Sequence, residues 1–187
     1  SPRARGIYEH VMQMNLATAV YARGLGYHLA IRKPDMAFTA GLLHLLGRMA
    51  MLASDPEGYS SLWRAADKGG LMPPTSDMET LRYRTDYVRL GADLARQWQL
   101  SEEITTVLRY HQDPDWVSAG ILSDVVHVVS AGRLAACSLY EPGAVEDDAL
   151  AKQLDVLAGK HRRSADELLE VVRVLDDEVH AFMESVR

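Results

Sequence analysis

The chain has 187 residues, of which 48% are hydrophobic and 25% charged, with a formal net charge of −6. That is the length and composition of one globular domain with room for a real core, and the acidic balance excludes a general nucleic-acid surface, which needs a basic stripe. No apolar run approaches the ~18 residues of a membrane span, no N-terminal stretch has signal-peptide form, and the lone Cys137 excludes an internal disulfide or a thiolate zinc site and suits a reducing cytoplasm.

Helical periodicity runs along the whole chain, without alternating strand patterns. A first helix is expected over 6–26, closed by Gly24 and Gly26. Pro34 suits a first helical position, and one helix is expected from there to Ala53, with Phe38, Leu42, Leu45, Met49 and Leu52 on its apolar face and Gly41 and Gly47 admitting a neighbour. A short helix over 55–68 precedes the loop sequence GGLMPPTS at 69–76. The next helix is expected over 77–99, its later half striped by Leu90, Leu94 and Trp98. Ser101 caps a helix over 102–110, and Asp113-Pro114-Asp115 breaks the chain before a long apolar helix over 117–140. After Glu141-Pro142-Gly143 comes a short helix over 146–157. The last helix opens on the capping box Ser164-Ala165-Asp166-Glu167 and buries Leu168, Val171, Leu175, Val179, Phe182 and Val186. The expected fold is all-α, a bundle of about seven helices in a single domain over 1–187.

Three phrases carry a family resemblance. Gly41-Leu42-Leu43-His44-Leu45-Leu46-Gly47-Arg48 is similar to the "GLLHDIGKL" phrase of HD-type phosphohydrolases, with Leu45 in place of the aspartate. The stretch from Val88 to Ile104, continuing to Arg109-Tyr110-His111-Gln112-Asp113-Pro114, resembles a helix, tryptophan, turn, helix and "His-His-x-Pro" pattern. The stretch from Leu122 to Ala135 resembles a "vhlADrLA" helix. In this order and spacing the phrases resemble the HDOD family, the HD-related output domain of bacterial signalling proteins. The resemblance implies the helical fold of HD phosphohydrolases, lost hydrolysis, and signal transduction, often beside cyclic-di-GMP enzymes, kinases or response regulators. Members usually carry a further N-terminal helical lobe. Its absence here, with the start at Ser1-Pro2-Arg3 and no initiating methionine, gives the expectation of a piece of a longer signalling protein.

The resemblance also locates a degenerate metal site. An active HD centre uses an early histidine, the His-Asp pair and a later aspartate. The early position falls on Asn15, with His10 the alternative. His44 is retained and Leu45 replaces the first acid. The later acid falls on Gly132, Tyr87 stands where a histidine is common, and His111 matches a family histidine. Leucine and glycine offer no oxygen or imidazole to a hard cation, and without a metal no bridging water is activated for phosphoester attack. No catalytic residue, metal or cofactor is therefore expected. His44 has a second reading as a hydrogen-bonded core histidine, and His111 as a group capping the preceding helix.

No phosphate-binding glycine loop or nucleophile elbow occurs. The acidic runs at 146–148 and 176–178 read as solvated faces, and Lys160-His161-Arg162-Arg163 as a surface loop. Two functions remain. In one, the domain acts on a protein partner or an attached signalling domain through a surface at Tyr59, Trp63, Leu71 and Met72; ordinary packing beneath the loop is the other reading of these residues. In the other, the pocket of Asn15, His44, Tyr87 and His111 binds a nucleotide without metal, and Arg48 and Arg89 neutralise its phosphate. Neither nucleic acid nor membrane is expected as a partner, and the sequence does not fix an oligomeric state.

Overall fold

A 27-residue helix, α1 (Pro2–His28), runs through the centre of the protein. The computed structural model describes residues 2–67 and 72–185; Leu71 and Val186, named above, lie outside them. The α1 stretch Met14-Asn15-Leu16-Ala17-Thr18-Ala19-Val20-Tyr21-Ala22 is buried at every position except the half-buried Leu16. A helix buried all round must meet neighbours on several sides, and the small residues Ala17, Thr18, Ala19 and Ala22 let them come close. The chain leaves α1 through Ala30, at φ 52°, while the Ile31 N–H returns to the Gly26 carbonyl.

The following helices are α2 (Pro34–Leu43), α3 (Leu46–Ser54), α4 (Pro56–Ala66), α5 (Ser76–Tyr83), α6 (Tyr87–Gln97), α7 (Glu102–Tyr110), α8 (Ile121–Tyr140), α9 (Ala149–His161) and α10 (Ala165–Ser185), with a short 3-10 turn at Pro114–Trp116. Helices α2, α8 and α10 pack directly on α1, while α3, α6 and α7 form a second group alongside. No strand occurs among the described residues. One core of side chains from Ile7 to Met183 joins them.

Two expected helices are each divided. The helix expected over 34–53 breaks at His44 and Leu45. The one expected over 77–99 breaks where Arg84 turns left-handed at φ 62° and Asp86 caps α6 by accepting from the Arg89 N–H at 2.8 Å. These two breaks turn the eight helices expected along the chain, rounded above to about seven, into the ten described. The start expected at Val117 also moves, because Gly120 at φ 146° delays α8. Buried faces shift as well: α10 buries Leu168, Val172, Leu175, Val179 and Met183, and α6 buries Tyr87, Gly91, Ala92 and Ala95 while Trp98 stays 57% exposed. Small residues on α6 admit α3, where a Cβ on Gly47 would strike the Tyr87 carbonyl; one on Gly41 would lie 2.7 Å from Ala19 Cα of α1.

Two apolar stretches, 34–54 and Ile121–Tyr140, are long enough to cross a membrane by composition, but most of each is buried within the bundle, as in core helices.

Candidate functional site

The site is built on the break between α2 and α3. In a continuous helix the Leu45 N–H would bond the Gly41 carbonyl four residues back. Here the His44 ring Nδ1 takes that carbonyl at 2.7 Å, and the Leu45 N–H donates to Asn15 Oδ1 of α1 at 3.2 Å. Side chains thus replace a backbone bond. Leu45 can start α3 in a new direction with no buried amide unpaired.

His111, the C-cap of α7, repeats the device, its Nδ1 bonding the Leu108 carbonyl at 2.8 Å. A carbonyl only accepts, so both rings carry their proton on Nδ1 and present Nε2 as a bare acceptor. The rings meet edge to face at 5.4 Å. Tyr87 serves His111: its hydroxyl points at Nε2 from 3.5 Å and accepts from the Gln112 amide at 2.5 Å. His44 Nε2 is buried without a hydrogen-bond partner. Burial, followed by the adjacent His111 and the Arg133 and Arg48 charges, pushes His44 well below the usual imidazole range. Burial and Arg133 take His111 down to about 3. Both rings are neutral at ordinary pH.

Around them lie charged groups, buried or half-buried, of which the sequence reading named only Arg48 as part of the pocket. Arg48 stacks on Tyr87 at 4.3 Å, donates to the Pro74 carbonyl at 3.1 Å and lies 3.6 Å from Glu79. Glu79 is fully buried and accepts from the Tyr59 hydroxyl and the Tyr87 N–H, each at 2.8 Å. Burial raises its carboxyl above the usual range, against the pull of Arg48. On the other side Glu141, also buried, holds His10 Nε2 at 2.9 Å and receives the Cys137 thiol at 3.6 Å; burial lifts that thiol to about 12. Among the described residues Arg133 of α8 hydrogen-bonds only Cys137 Sγ, at 3.9 Å, and its Nε is buried without a hydrogen-bond partner. A charged residue inside a helical phrase reads as surface, so Glu79, Arg133 and Glu141 carried no signal, while His10 was weighed only as a ligand.

These groups enclose a cavity of about 280 Å³ between α1, the α2–α3 break, the 72–76 segment, α6 and α8. Of the expected pocket residues, His44, Leu45, Arg48 and Tyr87 line it. His111 stands behind Tyr87. Asn15 serves the helix break instead, and Gly132 lies against α1, where a Cβ would come 2.8 Å from the Thr18 carbonyl and 2.9 Å from the Ala22 nitrogen. Arg89 is corrected: it is 57% exposed and pairs with Asp86. The surface expected at Tyr59 and Trp63 is also corrected, since they are 0% and 3% exposed; Trp63 supports Arg48 from 5.8 Å, and Met72 lines the cavity. Leu71 lies outside the described residues.

The metal of an HD centre does not fit this donor set. Two imidazoles remain, one engaged by Tyr87, and among the described residues no three His, Cys, Asp or Glu side chains converge as a cation site. Two guanidinium groups share the cavity, and their charge opposes a cation.

Known proteins share this arrangement of helices. An HDOD domain protein of unknown function from Geobacter sulfurreducens superposes with a TM-score of 0.72 at 19% identity, over 91% of this chain and 60% of that one. MmoQ, a response regulator from Methylococcus capsulatus, gives 0.63 at 23%, over 88% and 60%. A candidate phosphohydrolase from Shewanella amazonensis gives 0.62 at 20%, over 89% and 58%. The chain thus spans about 60% of the length of these structures. At such identities the likeness is one of fold. No curated protein matches the sequence. The HDOD domain profile matches residues 2–114, more than half of the chain and including the α2–α3 break, Tyr87 and His111, and the chain belongs to the HDOD family.

Proposed function

We propose that this chain is a non-catalytic regulatory domain of a bacterial signalling protein, acting in the cytoplasm through contact with a protein partner or an attached domain. One observation carries the reading: both acid positions of the HD centre are structurally closed. Leu45 is 3% exposed in the core, and Gly132 is pressed on the α1 backbone. A hydrolase of this type needs oxygen donors there to hold the metal that activates water. The fold of MmoQ, a response regulator, is similar and agrees with a signalling role. Metal analysis of protein purified without chelator, with a phosphodiesterase assay, tests the proposal. The expected result is no stoichiometric metal and no turnover; bound metal with hydrolysis would sink it.

A second reading is favoured by the cavity and the unpaired Nε2 of His44. The domain senses a small ligand there without metal. At about 280 Å³ the space sits at the small end of ligand sites, which run from about 300 to 1,000 Å³. A cyclic dinucleotide is a poor match for it, and a smaller molecule a good one.

A further inference from the structure

Charge within the cavity is unevenly compensated. Glu79 is engaged by Arg48, the Tyr59 hydroxyl and the Tyr87 N–H. Glu141 is engaged by His10 and Cys137. Each carboxylate near the cavity therefore has its own partners, and none of them is Arg133. Among the described residues no carboxylate forms an ion pair with Arg133; its only hydrogen bond is the long one to Cys137 Sγ, and its Nε is buried and unpaired. A guanidinium has five donors in a planar fork that matches a carboxylate or phosphate. Buried donors without acceptors are costly and rare in native proteins. His44, on the same cavity, lacks the opposite thing. Its Nδ1 proton is committed to the Gly41 carbonyl, so its buried Nε2 wants a donor. An acceptor-seeking arginine and a donor-seeking histidine on one cavity describe a single complementary molecule.

We propose that this cavity binds a small oxyanion, gripped by the guanidinium of Arg133 with the Arg48 charge lining the same cavity, and that a hydroxyl or amine of the ligand donates to Nε2 of His44. The proposal rests on the ligand-sensing reading and names its chemical class: a compact carboxylate or phosphate that also carries a hydrogen-bond donor. Although the whole chain has a net charge of −6, a site with a half-buried arginine that no carboxylate of the described residues pairs attracts anions locally.

Calorimetry and thermal shift on the native protein would use three probes: inorganic phosphate, lactate as a hydroxycarboxylate, and adenosine monophosphate as a phosphate monoester. Saturable binding of at least one is expected. Binding of lactate alone assigns a carboxylate ligand; binding of the phosphates alone assigns a phosphate ligand. R133Q should weaken the best probe at least about tenfold, as loss of one charge-assisted pair does. R133K, which keeps the charge and loses the fork, should fall between. R89Q, a change at an exposed arginine, should bind like the native chain. No saturable binding of any probe at millimolar concentration overturns the proposal, as does an R133Q protein, folded by circular dichroism, that binds as tightly as the native one. Lack of binding leaves the non-catalytic reading standing, whereas release of phosphate from adenosine monophosphate would remove that reading and leave the oxyanion site in place.

Discussion

His44 and His111 are each fixed by one backbone carbonyl three residues back, and this makes their charge state a property of the fold. Both have folded-state affinities for protons well below the ordinary value of 6.5, through burial above all. The unfolded chain binds these protons at about pH 6.5 and the folded chain does not until about pH 3 for His111. Between those values the unfolded state carries more protons, so stability rises with pH there and is complete above about pH 6.5. Acidification from pH 6.5 should cost about 1.4 kcal/mol per pH unit for each histidine. Glu79, raised by burial, opposes this just above its ordinary value of 4.5, but one carboxyl faces two rings. Urea unfolding at pH 7.5, 6.5, 5.5 and 5.0 checks the slope. Equal stability across the series would show that the rings accept protons within the native fold. These two histidines were legible in the sequence because the HD-type phrase carries His44 and the Arg109–Pro114 phrase carries His111. Glu79, Arg133 and Glu141 were not, because a charged residue is drawn into a site by the packing of distant helices and not by its neighbours in sequence.

At the level of the elements, the sequence gives helix content well and helix breaks poorly. The capping residues Asp55, Thr75, Asp86 and Ser101 each accept from a backbone N–H three residues on and are local signals. The Glu167 carboxylate of the expected α10 capping box is held by His28 Nε2 at 2.7 Å and by Arg163 at 3.4 Å. The break at His44 and Leu45 has no local signal, since His-Leu-Leu continues a helix readily. Its cause lies 30 residues away in Asn15, which takes the Leu45 N–H. Asn15→Ala would leave that amide buried and unpaired, at a cost of about 1–3 kcal/mol. The same change removes the Asn15 Nδ2 contact to Met49 Sδ at 3.6 Å, a weak bond that adds little. Chemical denaturation measures the loss. A matched control is Trp98→Ser, at a side chain 57% exposed, which should shift stability by no more than about 0.5 kcal/mol. If Asn15→Ala were equally silent, water or a relaxed helix would be serving the break, and Asn15 would not define it.

For the whole molecule, the decisive relation is the closeness of α8 to α1. In the reading proposed above, the later acid of an HD centre falls on the first of these helices. Here that position is Gly132, so close to Thr18 and Ala22 of α1 that even a methyl group meets backbone at 2.8 Å. Backbone cannot rotate away as a side chain can, so Gly132→Ala should cost about 1–3 kcal/mol by overpacking. Placing the two acids of an HD centre on this chain tests whether its fold can accept them. Leu45→Asp places a carboxylate where the side chain is 3% exposed, on the cavity that Arg48 and Arg133 also line, and burying a carboxylate costs several kcal/mol unless its pairing is good. Gly132→Asp adds a larger overpacking penalty on the opposite wall. Ordinary domains have only about 5–15 kcal/mol in hand, so the double variant should lose cooperative unfolding rather than acquire a metal. Circular dichroism melting and metal content, measured on the double variant with manganese or zinc supplied, decide the matter. A cooperative melt with stoichiometric metal would mean that α1 and α8 can part, and that the closed site is a matter of two side chains. Loss of the melt without metal would mean that the close α1–α8 spacing itself, and not two side chains alone, keeps the site shut.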